Sequence, residues 1–162
     1  MRRKIKVGIA GYGVVGRRRK YFMDCRQDVE VVAVCDQLFE DSGRDENGLR
    51  YYQTYEDLLD DDLDALFICI SNDMAPVVTI AGLENNLHVF CEKPPAFTGK
   101  DLEEIRVVEK ESGKVLMYGF NHRHHKSIQH MKKLIDKQEL NQYMKEVINF
   151  SFEANKYFND LK

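Results

Sequence analysis

A glycine pattern near the beginning of the chain constrains the fold more than any other feature. Gly11, Gly13 and Gly16 follow the apolar run Lys4–Ala10 at G-x-G-x-x-G spacing, and a helix-like segment comes next. Each glycine meets one requirement of a strand–turn–helix unit: a tight turn, close approach of the backbone to a pyrophosphate, and close packing of helix on strand. The helix N-terminus adds unpaired N–H groups and a partial positive charge, which favour phosphates.

A second apolar run, Glu30–Cys35, is predicted to be the next strand. It ends in Asp36, which lies twenty residues after Gly16. An acidic side chain at that position can accept hydrogen bonds from both hydroxyls of an adenosine ribose. The alternative is an ordinary βαβ unit with a glycine-rich turn. The complete order of strand, glycine turn, helix, strand and acid favours a dinucleotide site.

The composition indicates a soluble globular protein. The chain has 162 residues, of which 43% are hydrophobic and 31% charged, so it can form one domain with a core. A net charge of −3 gives no general attraction to nucleic acid, and no apolar run reaches the length of a membrane span. The four cysteines include no C-x-x-C pair, so we expect free thiols and a cytoplasmic protein.

Strands and helices alternate along the chain as far as Phe120. This alternation predicts an α/β fold with a doubly wound parallel sheet of about six strands, occupying residues 1–121. We expect the helix that Pro76 opens to face the sheet through Val77, Ile80 and Ala81. The predicted elements after the first strand are helix Val14–Asp24, strands Glu30–Cys35, Tyr51–Tyr52, Asp64–Ile70, Leu87–Cys91 and Lys114–Phe120, and helices beginning near Thr54, Pro76 and Thr98.

The carboxyl ends of the predicted strands carry the other candidate ligand contacts. Ser71 and Asn72 follow one strand, and ligands bind at this edge of such sheets. The basic residues at 17–20 could accept the 2′-phosphate of NADP, although a solvated helix face is the favoured interpretation. Because Asp36 would repel a 2′-phosphate, the sequence favours NAD over NADP as the cofactor.

Lys93 is the candidate catalytic residue. It follows the predicted strand Leu87–Cys91, with Glu92 before it and Pro94 after it. A lysine at this edge could polarise a substrate oxygen or carry its proton. A surface Glu-Lys pair in a turn before proline explains the spacing equally well, so both interpretations stay open.

These motifs together resemble the Gfo/Idh/MocA oxidoreductase family over about residues 4–140. The resemblance depends on the glycine motif, on Asp36, and above all on the Glu92-Lys93-Pro94 tripeptide after a short strand; residues 119–123 also resemble the family's exit from its nucleotide-binding domain. It implies that Lys93 acts at the substrate and also contacts the cofactor, and that Glu92 supports the nicotinamide end. The cofactor-binding residues that it implies are Gly11, Gly13, Val14, Val15, Gly16 and Asp36.

The resemblance also implies an activity. Members of this family transfer a hydride from a carbinol carbon of a sugar, cyclitol or nucleotide-sugar to the nicotinamide, and Lys93 would assist removal of the hydroxyl proton. A stand-alone dinucleotide-binding module without catalysis is the alternative. The partners expected are therefore a nicotinamide dinucleotide and a sugar-like small molecule.

Two departures from the family pattern limit this expectation. The family carries a proline in the loop that matches residues 71–73, whereas here the proline is Pro76. The family also has a second α/β domain, and residues 122–162 match only a crossover helix and the beginning of that domain. We therefore expect a truncated chain with weak or no turnover. An unpaired strand at Val147–Phe152 would favour association into a homo-oligomer.

A cluster of histidines follows the predicted sheet domain. A metal site would require these side chains to converge, which a strand-to-helix junction seldom allows. We therefore predict a polar junction segment and no metal site. The residues are His122, His124, His125 and His130.

Overall fold

The computed structural model describes residues 3–136. The chain divides into two compact units, Met1–Tyr118 and Gly119–Lys162. The first unit contains β1 (Ile5–Ala10), α1 (Val14–Asp24), β2 (Val29–Cys35), β3 (Gly43–Arg44), β4 (Arg50–Tyr52), α2 (Tyr55–Leu59), β5 (Ala65–Ile68), α3 (Ala75–Glu84), β6 (His88–Cys91), α4 (Gly99–Ser112) and β7 (Leu116–Tyr118). The described part of the second unit contains a short 3₁₀ helix (Asn121–His124) and α5 (Lys126–Asp136).

The strands of the first unit form one sheet in the order β3-β4-β2-β1-β5-β6-β7. Every neighbouring pair is parallel except β3 and β4, which are antiparallel. The strand order reverses at β1, because the chain passes from β1 to β2 on one side and later returns to β5 on the other. The predicted doubly wound sheet is therefore confirmed, and its switch point lies between β1 and β5.

The antiparallel β3–β4 hairpin joins the predicted strand Tyr51–Tyr52, present as part of β4, to the short strand β3, which the sequence does not predict. Its turn is held by Asp45, whose carboxylate accepts the backbone N–H groups of Asn47 and Leu49, both at 2.9 Å. Gly48 completes the turn with a φ of +85°. These local bonds favour a hairpin although the surrounding residues are polar.

Helices cover the central strands on both faces of the sheet. Gly16 of α1 lies close to Ile9 of β1, while Gly82 of α3 lies close to Leu66 of β5 and Val89 of β6. Ile9 and Leu66 are fully buried. The core thus lies on both sides of β1, β5 and β6, and their carboxyl ends reach the sheet edge where the glycine turn begins.

The structure corrects the predicted packing face of α3. Val77 is 47% exposed, whereas Val78 is fully buried and Leu83 almost so. Gly82 also faces the sheet, because a Cβ there would lie only 2.9 Å from a side-chain atom of Leu66. Since residues 75–83 are apolar on every side of the helix, their pattern does not identify the inner face.

The predicted beginning of α4 near Thr98 is confirmed. Thr98 and Asp101 form a reciprocal capping box, and Gly113 ends the helix with a φ of +62°. The amphipathic helix predicted after the histidines is present as α5, with Ile135 buried. The predicted strand Val147–Phe152 lies outside the described residues.

Candidate cofactor site

Two positions where β1 leads into α1 accept only glycine, one in the turn and one in the first turn of the helix. Gly11 has a φ of +87°, and a Cβ there would overlap the backbone carbonyl of Cys69. A Cβ on Gly16 would overlap the carbonyl oxygen of Gly11. The two glycines therefore bring α1 and the end of β5 against the turn, as the sequence motif predicts.

Gly13 has a different environment. A Cβ at Gly13 would meet no heavy atom of the described residues within 4 Å, so the backbone there is open to a ligand. Among the described residues no side chain caps α1, whereas Thr54 caps α2 and Thr98 caps α4. The first-turn N–H groups of α1 are therefore left for an anion, which suits a pyrophosphate.

Asp36 lies at the carboxyl end of β2, beside this turn. Its Oδ2 accepts the N–H of Tyr12 at 2.8 Å, and its Oδ1 accepts the N–H of Leu38 at 3.0 Å. Its own N–H donates to the carbonyl of Tyr52 at 3.0 Å. The carboxylate is half-buried and fixed in position, and each oxygen keeps acceptor capacity for a ribose hydroxyl.

A cleft of about 530 Å³ lies at this edge of the sheet. It is formed by the ends of β1, β2 and β5 and by the segment between β4 and α2. Four of the predicted cofactor residues line it: Gly11, Gly13, Asp36 and Ser71. The other lining residues are Cys35, Gln37, Leu38, Gln53, Thr54, Tyr55, Glu56, Cys69, Ile70 and Met74.

Gln53 is a cleft residue that the sequence analysis missed. Its side-chain amide donates to the carbonyl oxygens of Phe39 and Glu40, both at 2.9 Å. These bonds hold the segment that follows Asp36 against the end of β4. The sequence contains one usable signal, since Gln53 directly follows the predicted strand Tyr51–Tyr52 and so lies at the ligand-binding edge.

The remaining predicted residues do not line the cleft. Val14 and Val15 occupy the exposed first turn of α1, with exposures of 86% and 45%. Asn72 is half-buried in the loop after β5, and Lys93 is exposed just beyond β6. Glu92 is half-buried and forms an ion pair with Arg19 of α1.

The basic run at 17–20 is only partly the solvated face that the sequence favours. Arg17 lies 5.6 Å over the ring of Tyr12 and donates to its carbonyl at 3.1 Å. Lys20 pairs with Asp24 at 2.7 Å. Arg19 and Lys20 both depart from the prediction, because their side chains are only 26% and 23% exposed.

The buried thiols at the ends of these strands are unreactive. Burial raises the pKa of Cys35 and of Cys69 to about 12, and burial raises that of Cys91 to about 11. Thiols with such values stay protonated and are poor nucleophiles. All four cysteines are free, as predicted, although Cys25 is exposed.

Neither a metal cluster nor a membrane span is found among residues 3–136. No group of three or more His, Cys, Asp or Glu side chains there is arranged to hold a metal ion. The rings of His122 and His125 stack with centroids 5.8 Å apart. Within the same range, every helix is too short or too polar to cross a bilayer.

Comparison with known proteins identifies relatives along most of the chain. Inositol 2-dehydrogenase of Salmonella typhimurium strain LT2 is 34% identical over 148 residues, which are 85% of this chain and 43% of the relative. D-glucoside 3-dehydrogenase of Escherichia coli K12 is 33% identical over 74% of this chain and 35% of its own length. The chain thus spans less than half the length of these relatives.

Solved structures agree with this comparison. Myo-inositol 2-dehydrogenase from Lactobacillus plantarum superposes with a TM-score of 0.72 at 27% identity, covering 86% of this chain and 43% of that one. Scyllo-inositol dehydrogenase from Lactobacillus casei, solved with bound NAD(H) and scyllo-inositol, has a TM-score of 0.74 at 22% identity, covering 86% and 43%. The second likeness shows the fold alone.

A family model described as an oxidoreductase family with an NAD-binding Rossmann fold matches residues 5–120. That range contains the glycine turn, Asp36, the cleft and the Glu92-Lys93 pair. The chain therefore belongs to the Gfo/Idh/MocA family of oxidoreductases and carries its NAD-binding Rossmann fold.

Proposed function

We propose that this chain is the nucleotide-binding part of an NAD-dependent oxidoreductase that acts on a hydroxyl group of a cyclitol, sugar or nucleotide-sugar. The observation that carries the proposal is the fixed Asp36 carboxylate at the rim of the cleft, next to the open backbone at Gly13. Together they offer a ribose acceptor and a pyrophosphate site in the order that a dinucleotide requires.

The environment of Asp36 supports NAD over NADP. A 2′-phosphate would approach a carboxylate whose position is fixed by the N–H groups of Tyr12 and Leu38. Two nearby cations are already engaged, because Arg17 lies over the ring of Tyr12 and Lys20 pairs with Asp24. Repulsion by Asp36 is therefore not offset by these two side chains.

Lys93 is the proposed catalytic residue. When bound, the nicotinamide would supply the hydride acceptor, and Lys93 would hold the substrate hydroxyl and take up its proton as the carbon is oxidised. Lys93 is exposed beside the half-buried Glu92, so a substrate could reach its side-chain nitrogen, which takes up the proton as a neutral amine. The relatives named inositol 2-dehydrogenase and D-glucoside 3-dehydrogenase support the substrate class.

A dinucleotide-binding module without catalysis is the second candidate. It is favoured by one contrast: four predicted cofactor residues line the cleft, whereas Lys93 lies outside it. We propose that residues 122–162 begin a substrate or dimerisation domain, and that the present chain by itself shows weak or no turnover. Saturable cofactor binding without oxidation of inositols or sugars would select this candidate.

The first test is calorimetric titration of the full chain with NADH, NADPH and ADP-ribose. The chain has no tryptophan, so indole fluorescence cannot report binding. We expect micromolar binding of NADH and ADP-ribose and much weaker binding of NADPH. Equal affinity for NADH and NADPH would refute the proposed NAD preference. If none of the three ligands bound, the proposed cofactor site itself would be refuted.

A further inference from the structure

The ion pair between Arg19 and Glu92 links two parts of the site that are 73 residues apart in sequence. The Nε of Arg19 donates to Oε1 of Glu92 at 2.7 Å, and one terminal nitrogen of the guanidinium donates to the same oxygen. The two side chains are 26% and 17% exposed. The carboxylate is thus held from α1, and its second oxygen is not used by these bonds.

An aromatic surface fixes the guanidinium in this position. Arg19 lies over the ring of Phe90 at 4.9 Å from the centroid, and Phe90 stacks on Phe67 with centroids 4.8 Å apart. Arginine suits such a position because its planar group can stack and donate at the same time. The aromatic pair and the carboxylate together determine where the positive charge of Arg19 lies.

The pair also lies beside the cleft, because the N–H of Glu92 donates to the carbonyl of Ile68 at 2.9 Å, one residue before Cys69. Cys69 lines the cleft, and its pKa is raised mainly by burial, further raised by the charge of Glu92 and lowered by that of Arg19. Both charges therefore act at the cleft wall after β5. In a doubly wound sheet, this side of the switch point takes the nicotinamide half when the adenosine half lies at the end of β2.

We propose that Arg19 sets the preference of this site between oxidised and reduced nicotinamide, by cancelling the charge of Glu92. The inference deepens the proposed function and rests on it. The oxidised ring carries one positive charge that the reduced ring lacks. An unpaired carboxylate nearby would favour binding of the oxidised form and hinder its replacement by the reduced form. The neutral Arg19–Glu92 pair instead lets both forms bind with similar affinity.

A purely structural ion pair would behave differently. Its loss would lower the free energy of unfolding, but it would leave the ratio of the dissociation constants for NADH and NAD⁺ unchanged. Only a charge that acts on the ring moves that ratio, because the two forms share every other group. This redox ratio, Kd(NADH)/Kd(NAD⁺), is therefore the decisive readout.

The experiment compares Arg19→Met, Glu92→Gln and the double variant with the wild-type chain by calorimetry. Arg19→Met leaves the carboxylate unpaired, so the redox ratio should rise about fivefold, as for one unit charge several ångströms away in a partly hydrated site. Glu92→Gln leaves the guanidinium unpaired, so the ratio should fall by a similar factor. The double variant should return to the wild-type ratio.

Three controls accompany these variants. Arg19→Lys keeps the charge and should keep the ratio near the wild-type value. Arg18→Met removes an exposed charge from the neighbouring position of the same helix and should leave the ratio unchanged. ADP-ribose lacks the nicotinamide, so its affinity should be the same in every folded variant.

The outcomes separate the inference from the proposed function. An unchanged redox ratio in Glu92→Gln, with ADP-ribose affinity intact, overturns the inference and leaves the cofactor site standing. If Arg19→Met fails to fold, Glu92→Gln still shows whether the redox ratio falls as expected, and Arg19→Lys still shows whether a positive charge at position 19 is enough to keep the wild-type ratio. If the wild-type chain binds neither NADH nor ADP-ribose, the proposed function fails, and the inference fails with it.

Discussion

The candidate site has two proposed halves, one for the adenosine and one for the nicotinamide of the cofactor, and they are built in different ways. At the adenosine half, Asp36 is fixed by two backbone N–H groups, and Gln53 clamps the following segment through two backbone carbonyls. At the nicotinamide half, Glu92 is held by a side chain from α1, and Lys93 is exposed. One half is therefore fixed by bonds to the backbone, and the other by contacts between side chains.

This difference indicates what each half needs in order to work. Side-chain bonds to the backbone fix the adenosine half within the first unit, so we expect it to bind its share of the ligand without further residues. At the nicotinamide half, the carboxylate of Glu92 is already paired and Lys93 is exposed. We therefore expect this half to become ordered for catalysis only when a substrate hydroxyl binds to Lys93. The following predictions test this contrast, from the largest effect to the smallest.

The glycine turn joins both halves, and its variants should have the largest effect. Gly16→Ala should abolish NADH binding and lower the melting temperature, because its Cβ would overlap the Gly11 carbonyl. Gly13→Ala should lower NADH affinity while the melting temperature stays near the wild-type value, since its Cβ would meet no described heavy atom within 4 Å. Calorimetry and thermal melts measure both. Wild-type affinity in Gly16→Ala would exclude this turn as the phosphate site.

Lys93→Ala should affect turnover alone. We expect residual oxidation of inositol with NAD to fall by at least about 100-fold, because a general acid–base group is removed. NADH affinity should be retained, since Lys93 lies outside the cleft. Lys100→Ala, at an exposed position of α4, is the matched control. Unchanged turnover in Lys93→Ala would remove this lysine from the mechanism.

Asp36→Ser should reduce the preference for NADH over NADPH by about 30-fold, as two charge-assisted hydrogen bonds and one repulsion are lost. Calorimetry with both cofactors measures the change. Asp41→Ser alters an exposed acid in the next segment and should leave the preference intact. A preference that survives in Asp36→Ser would show that another residue excludes the 2′-phosphate.

Gln53→Ala tests whether backbone clamping matters at the adenosine half. Loss of the hydrogen bonds to Phe39 and Glu40 should lower the affinities for NADH and for ADP-ribose by the same factor, about fivefold. Gln27→Ala, at an exposed position after α1, is the control. If only the affinity for NADH fell, Gln53 would act at the nicotinamide half, and the proposed difference between the two halves would be wrong.

Asp64→Asn concerns the opposite edge of the sheet and should have the smallest effect. Asp64 accepts the N–H of Lys6 at 2.8 Å and pairs with Arg3, and these contacts lower its pKa. Because the pKa of Asp64 is lower in the folded chain than in the unfolded chain, its charged form stabilises the fold at pH values above its unfolded-state pKa of about 4. This contribution disappears as the pH falls through the folded-state pKa.

The variant should therefore melt slightly below the wild type at pH 7 and equally at acidic pH, with NADH affinity unchanged. Asp60→Asn, an exposed neighbour, should show no such difference. A stability difference that persists at pH 2 would assign the effect of Asp64 to packing rather than to its charge.

The sequence by itself determined the features that depend on local geometry. The glycine turn could be predicted because a positive φ at Gly11 and the missing Cβ at Gly16 are properties of single residues. The helix ends at Thr98 and Gly113 and the position of Asp36 after β2 were predictable for the same reason. Residues within a few positions along the chain are enough to identify these features, although the bond from Tyr12 that helps to fix Asp36 comes from farther away.

Only the tertiary structure decided which distant groups meet. Arg19 belongs to a run of four basic residues that look alike in sequence, and it differs because Phe90 and Glu92 lie beneath it in the fold. Gln53 gained its role from a segment 13 and 14 residues away. The inner face of α3 was likewise set by the sheet, because packing selects among positions that hydrophobicity alone leaves equivalent.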